Sequence, residues 1–252
     1  YTNQLLRFQK SWGKHNVNGL LAYEFNDWEM KFTDVYATGF LSGFEDFTTT
    51  SKPEKANGYR QAWAKQSYFT QWRYNYDNRY FGEVSLRRDG RSNFGSNNRY
   101  GNFFSFSGAW NMNNESWFKA QWVDMLKLRA SFGSVGNVPT SLYPSYSLYS
   151  VGASYNEQSG ALISQIGNKD LTWEKTFTTG VGVDAAFFQN RLTATLDFYV
   201  KNTSNILYQV PVTGLVGVTS IWKNIGKMRN TGVEFTIGGD IIRTKDLTWN
   251  VT

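Results

Sequence analysis

The chain of 252 residues has no cysteine and a single histidine. The first absence excludes disulfide frameworks, zinc ribbons, iron–sulfur clusters and thiol chemistry together. The second leaves little room for a histidine-based metal site or catalytic triad. No apolar run approaches the roughly 18 residues that a membrane helix needs, and the mean hydropathy is −0.48. That excludes a transmembrane helix but not a membrane, because barrel strands alternate and never look hydrophobic on average. Charge is thinly spread, with 26 Lys+Arg against 20 Asp+Glu and a net charge of +6. Its densest clump is Arg87, Arg88 and Arg91, far from the basic stripe of a nucleic-acid binder, so no nucleic-acid partner is expected.

Catalytic motifs are equally scarce. No G-x-S-x-G, H-E-x-x-H or Walker pattern occurs, and nothing among the scattered acids selects a glycosidase pair, so no enzyme is expected. Gly180-Val181-Gly182-Val183-Asp184-Ala185 matches a dinucleotide fingerprint on paper. That fingerprint needs a following helix to meet the pyrophosphate, whereas a turn and another strand follow here. The glycines instead read as small residues on one face of a strand. His15 lies in a Gly-Lys-His-Asn turn without a second histidine and reads as a solvated turn residue. Ca²⁺ in the loops stays open, with no Asp-rich ligand spacing pointing to it, and no other cofactor is expected.

What the chain has in abundance is period-two alternation and aromatic residues, with 10 Trp, 15 Tyr and 19 Phe. Leu192, Ala194, Leu196, Phe198 and Val200 alternate with Thr193, Thr195, Asp197, Tyr199 and Lys201. Similar runs at residues 4–12, 17–26, 68–76, 80–88, 103–111, 126–133, 177–187 and 228–238, with a last segment ending at Thr252, predict roughly ten strands. A short segment around Asn114–Lys119 is the one helical candidate and reads better as a connector. The chain begins at Tyr1 and stops in what reads as a strand just begun. It is therefore expected to be an internal piece of a longer protein.

The connections alternate in length. Tight turns occur around residues 13–16, 77–79 and 189–191, and long segments start at Asp27, Asp89, Ser134 and Asn202. A soluble sandwich has no reason to keep one end tight and the other long, whereas an outer-membrane barrel does. Glu24, Arg73, Glu83, Arg87, Lys127, Arg129, Asp184, Asp197 and Glu234 all share the polar parity of their strands. The apolar parity carries charge only near strand ends, at Lys10, Arg88 and Arg229. A cation facing lipid costs about 2–4 kcal/mol at mid-bilayer and roughly 0–1 near the interface, which accounts for that pattern. Trp12, Tyr74, Tyr76, Tyr80, Trp110 and Phe187 crowd the tight-turn ends, as an interfacial girdle would. The fold class is thus all-β, an antiparallel transmembrane barrel wall. A stand-alone small outer-membrane barrel (porin or adhesin) and a soluble glycan-binding β-sandwich stay open as alternatives.

Several spaced motifs then resemble one family. Arg87-Arg88-Asp89-Gly90-Arg91-Ser92-Asn93-Phe94-Gly95 is similar to an Arg-x-Asp-Gly-Ser-Ser-Arg-Phe-Gly element, with Arg91 and Asn93 departing from it. Arg99–Ser105, Trp110 with Glu115, Leu126–Gly133 with Gly136-Asn137, Asn168–Glu174, Asn190-Arg191-Leu192, Asp197-Phe198-Tyr199 and Asn230–Glu234 continue the series. In this order they resemble the SusC/RagA-like, TonB-dependent outer-membrane transporters.

The resemblance implies roughly ten strands of a barrel of about 22 strands, the size class with a plugged lumen. Residues 1–252 would all belong to one barrel domain, with the plug and the remaining strands outside this chain. It also implies import of oligosaccharides or peptides across the outer membrane. The implied partners are a SusD-like surface lipoprotein as lid, the TonB–ExbB–ExbD energising complex and outer-membrane lipid. Arg73, Glu83, Arg87, Asp89, Arg91, Lys127, Arg129, Asp184 and Asp197 would face the lumen and touch plug, neighbouring strand or substrate. Tyr143 and Tyr146, in an aromatic loop, would stack on sugar rings or pack within the loop.

Overall fold

The computed structural model describes residues 1–214 and 217–251. In chain order the strands are β1 (Thr2–Trp12), β2 (His15–Phe40), β3 (Thr50–Tyr76), β4 (Tyr80–Arg91), β5 (Tyr100–Asn111), β6 (Val123–Asn137), β7 (Leu148–Tyr155), β8 (Gln158–Gln165), β9 (Glu174–Phe187), β10 (Leu192–Ser204), β11 (Leu207–Pro211), β12 (Ser220–Asn224), β13 (Lys227–Arg243) and β14 (Thr248–Val251). Among the described residues the only helical elements are short 3₁₀ turns, one of which (Met112–Asn114) opens the connector at residues 112–122.

Ten of the strands form one antiparallel sheet in the order β1-β2-β3-β4-β5-β6-β9-β10-β13-β14. They correspond to the ten alternating runs of the sequence. Among the described residues the other sheets are two-stranded hairpins, too small to form the second layer of a sandwich, which overturns the sandwich reading. The described strands β1 and β14 each have one neighbour, so this sheet is a stretch of barrel wall and not a barrel closed on itself.

Register explains the alternation. Trp72 pairs with Val84, Val84 with Phe106, Phe106 with Phe132, Phe132 with Thr179 and Thr179 with Val200. One residue along each strand, Arg73 pairs with Glu83, Glu83 with Ser107, Ser107 with Ser131 and Ser131 with Gly180. The first row belongs to an apolar face and the second to a polar one. Leu21, Leu86, Phe106, Phe132, Leu196, Phe198, Val233 and Phe235 all lie exposed on the apolar face. A continuous apolar face of that size is unfavourable in water and suits hydrocarbon.

Tight turns close one end, where Asp77 and Asn78 take positive φ values of 50° and 53° that their short polar side chains tolerate. Around them stands the girdle. Trp12 stacks on His15 at 5.4 Å, Tyr80 on Trp110 at 6.3 Å and Trp122 on Phe187 at 5.5 Å. His15 is correspondingly not a free turn residue. It opens β2, and its Nδ1 lies 2.8 Å from the Tyr74 hydroxyl.

The long-loop end differs from the sequence reading. The segment from Asp27 is mostly strand, because β2 and β3 stay paired out to Phe40 and Thr50. Alternation fades there because both faces of the extended hairpin meet water. Pairing is carried instead by the ion pairs Arg60–Glu29 and Lys55–Asp34 and by Phe32 stacked on Tyr59 at 5.0 Å. Two further hairpins, β7–β8 and β11–β12, sit inside the long connections.

Candidate functional site

The polar face of the sheet gathers most of the charged residues singled out in the sequence, in three groups. Nearest the long-loop end, Glu24 of β2 accepts from Lys65 Nζ at 3.1 Å and from Arg87 Nη2 at 3.4 Å. Arg87 also donates to Ser67 Oγ at 3.1 Å, and its Nε reaches both carboxylate oxygens of Asp89 at 2.7 and 2.8 Å. The Arg87–Asp89 tie therefore lies inside β4 rather than in the loop after it. Midway, Arg73 Nε donates to Glu83 Oε2 at 2.9 Å and Gln71 Nε2 to Glu83 Oε1. Towards the tight-turn end, Arg129 holds Asp184 with two bonds of 2.7 and 2.8 Å and reaches Asp197 at 3.1 Å.

Each group crosses strands, so each pins a register as well as balancing a charge. The Arg129 fork depends on Gly182, where any Cβ would run into Asp197 Oδ1 and Arg129 Nη2. That is the structural reason for a glycine in the false dinucleotide fingerprint. Lys127 lies over the Phe81 ring at 5.6 Å, and Arg91 over Trp63 at 5.2 Å. Arg73, Glu83, Lys127, Arg129 and Asp197 line one concavity of about 500 Å³ with Asn18, Ser107 and Ser131. Arg87 and Asp89 line a smaller recess of about 340 Å³.

The cations Lys65, Arg73, Arg87, Lys127 and Arg129 balance the anions Glu24, Glu83, Asp89, Asp184 and Asp197 in formal charge. Such a face presents hydrogen-bonding groups to a passing polar solute without a strong field of either sign. Among the described residues no group of His, Asp or Glu is arranged to hold a metal ion.

A second site was missed as a unit in the sequence. Phe94, Phe103, Leu171 and Trp173 form a buried cluster at the long-loop end, with Val138, Leu207 and Trp222 packed against it. Trp173 contacts Phe94 at a ring separation of 5.1 Å and Phe103 at 5.3 Å. Gly101 and Gly136 press on the Phe103 and Trp173 rings so closely that neither position has room for a Cβ. Polar ties surround the cluster. Asn93 Nδ2 donates to Ser141 O at 2.9 Å, and Asn168 Nδ2 to Trp222 O at 2.9 Å. The Asn224 amide both accepts from and donates to the Thr172 backbone at 2.8 Å. The motif segments around residues 93–95, 101–103, 136–137 and 168–174 thus converge on one core that clamps the mouth loops. An asparagine in each segment, beside a glycine, a large aromatic or both, was the signal for it.

Tyr143 belongs to this clamp. Its hydroxyl accepts from Ala62 N at 2.7 Å and donates to Ala62 O at 3.1 Å, tying the loop to the extended β2–β3 hairpin. Tyr146 leaves its ring exposed.

At the tight-turn end Glu115 is buried and accepts from Tyr80 Oη at 2.6 Å, Trp110 Nε1 at 2.9 Å and Arg79 Nη1 at 3.1 Å. The Tyr80 hydroxyl, then the Trp110 indole, hold its carboxyl below the usual carboxylate range. Asp77 is lowered likewise, by Lys14 first and Arg79 second. Together these bonds tie two tight turns and the 112–122 connector into one polar lock.

An exposed apolar face, a charge-balanced polar face, an aromatic girdle and opposite loop lengths at the two ends define a segment of outer-membrane β-barrel wall. A family model described as "TonB dependent receptor-like, beta-barrel" matches residues 1–252, and the chain belongs to that family. It is 33% identical over 95% of its length to TonB-dependent receptor P39 of Formosa agariphila, covering 23% of that protein. Against TonB-dependent receptor SusC of Bacteroides thetaiotaomicron it is 32% identical over 74% of this chain and 19% of that protein. The solved RagAB peptide transporter superposes on 98% of this chain with a TM-score of 0.87 at 30% identity, over 28% of its own chain. The siderophore receptor PirA from Acinetobacter baumannii shares the fold alone, with a TM-score of 0.60 at 15% identity. The chain spans about a quarter of the length of these relatives.

Proposed function

We propose that this chain is part of the barrel of a SusC-like importer that moves oligosaccharides or peptides across the outer membrane at the expense of TonB-delivered energy. The barrel of about 22 strands is completed by strands outside this chain, and a plug domain fills it. A SusD-like surface lipoprotein closes the mouth, and TonB–ExbB–ExbD supplies the work through an N-terminal part. The observation that carries this reading is the match along the whole chain to a TonB-dependent receptor barrel, with the 30% identity to RagAB alongside it.

The geometry accords with transport rather than bond chemistry. On the polar face Glu24, Lys65, Arg73, Glu83, Arg87, Asp89, Arg129, Asp184 and Asp197 are each held by an opposite charge, whereas Arg91 lies over Trp63 and Lys127 over Phe81. A polar solute can exchange hydrogen bonds with such a face without meeting a deep electrostatic trap. The test is accumulation of labelled oligopeptides and oligosaccharides by cells that carry or lack the full-length gene, with and without a proton uncoupler. Gene-dependent uptake that the uncoupler abolishes is expected. Gene-dependent uptake that survives the uncoupler would make the protein a passive pore and overturn the reading.

A further inference from the structure

The apolar face ends abruptly on three adjacent strands. From the tight-turn end, β9 presents Phe187, Ala185, Val183, Val181, Thr179 and Phe177, and then Lys175. On β10 the same face reads Leu192, Ala194, Leu196, Phe198 and Val200, and then Asn202 and Ser204. On β13 it reads Ile237, Phe235, Val233 and Thr231, and then Arg229 and Lys227. Register places these ends side by side. Lys175 pairs with Ser204, Ser204 with Lys227, and Asn202 with Arg229.

Neighbouring strands lie about 4.8 Å apart, so Lys175 and Lys227 stand about 10 Å apart across β10. Arg229 is two residues further in on the strand of Lys227. Its Nε donates to Asn202 Oδ1 at 2.9 Å, which leaves its terminal nitrogens available. None of the three cations has an acidic partner among the described residues. The nearest acid in sequence, Glu174, belongs to the opposite face and accepts from Leu207 N at 3.2 Å.

Three unpaired cations on a lipid-facing surface need a reason. At this height they escape the mid-bilayer penalty, yet pairing with acids on the same face would be cheaper still in the absence of an external anion. On the polar face of the same strands Asp184 and Asp197 are paired in this way, both with Arg129 of the neighbouring β6. Here the counter-ion has been left to the surroundings, and Asn202 and Ser204 add an amide and a hydroxyl between the cations.

We propose that Lys175, Lys227 and Arg229 form a docking site for the phosphate-bearing headgroup of an outer-leaflet lipid, whose acyl chains lie along the apolar stretch of β9, β10 and β13. The lysines act as point charges on phosphate, and the guanidinium supplies directed hydrogen bonds. This rests on the reading of the chain as outer-membrane barrel wall.

The experiment uses the full-length protein purified from outer membranes in detergent and exchanged into nanodiscs of zwitterionic lipid with a minor fraction of phosphatidylglycerol. Retained anionic lipid is counted by native mass spectrometry. Because each cation near the membrane surface adds to the attraction for anionic headgroups, the K175Q/K227Q/R229Q variant is expected to lose about tenfold or more in retained anionic lipid. The charge-conserving K175R/K227R/R229K variant is expected to keep it. Heat-modifiable migration on gels reports separately whether the barrel is intact. Equal retention by wild type and the glutamine variant, both heat-modifiable, would overturn the lipid site. So would displacement by millimolar inorganic phosphate, which would make the ligand a free anion. Loss of lipid in both triple variants would assign the effect to folding and overturn it too. A wild-type protein that is soluble and not heat-modifiable would fail the barrel reading itself, a distinguishable result.

Discussion

The two ends of the wall are held together by opposite means. At the long-loop end a buried apolar cluster of Phe94, Phe103, Leu171 and Trp173 clamps the mouth segments. At the tight-turn end the clamp is polar, with one buried carboxylate, Glu115, taking three donors. Between them the wall has no core of its own, because one face meets hydrocarbon and the other the lumen. Long connections bring enough chain to fold over and exclude water, so an apolar core can form there. Tight turns bring only a few residues, and directed hydrogen bonds are what a few residues can offer.

Breaking the apolar clamp should cost most. Trp173→Ala is expected to destabilise the mouth by about 3–5 kcal/mol. The loss should appear as faster proteolysis or hydrogen exchange of the 138–173 and 205–226 connections, with the tight-turn end unchanged. Gly136→Val should act in the same direction, since the Phe103 ring occupies the space of its Cβ.

The wall between the ends should respond less. Arg129→Ala leaves Asp184 and Asp197 without their partner, for an expected cost of about 1–2 kcal/mol given their part exposure. Asp184→Asn in the same background should recover part of it in heat-modifiability assays, since the double variant removes one uncompensated charge. Tyr143→Phe removes the tie to Ala62 and should cost about 1 kcal/mol, read as increased amide exchange of the β2–β3 hairpin alone.

The smallest effect at neutral pH comes from the polar clamp and grows on acidification. The folded Glu115 carboxyl titrates below its unfolded value, so its stabilisation is full above the unfolded pKa and is lost as pH falls through the folded one. In Glu115→Gln that acid-dependent loss should be absent, flattening the acid limb of the pH–stability profile. An unchanged acid limb would remove Glu115 from the clamp.

Most of the wall was legible in the sequence because hydrocarbon enforces strict alternation. All ten sheet strands coincide with alternating runs, and the face of each charged residue follows from parity. Where the solvent is water on both sides that constraint lapses, and the outer halves of β2 and β3 read as loop although they pair to Phe40. The mouth cluster was hidden for another reason. Phe94, Phe103 and Trp173 come from segments far apart in the chain, and only the register that runs from β4 through β5 and β6 to β9 makes them neighbours. The polar face of Arg87 was legible from parity, but its ties to Asp89, Glu24 and Ser67 needed the β2–β3–β4 register.

The central claim is that odd and even residues of these strands face lipid and lumen. A nitroxide scan along β9, from Thr178 to Asp184, tests it most directly in the full-length protein, with any other thiols removed and the protein in lipid bilayers. Oxygen, which partitions into hydrocarbon, is expected to relax labels at Thr179, Val181 and Val183 strongly. Labels at Thr178, Gly180 and Asp184 are expected to respond weakly, giving a period of two. A flat oxygen profile, or the opposite phase, would contradict the assignment of the faces and with it the reading of this chain as barrel wall.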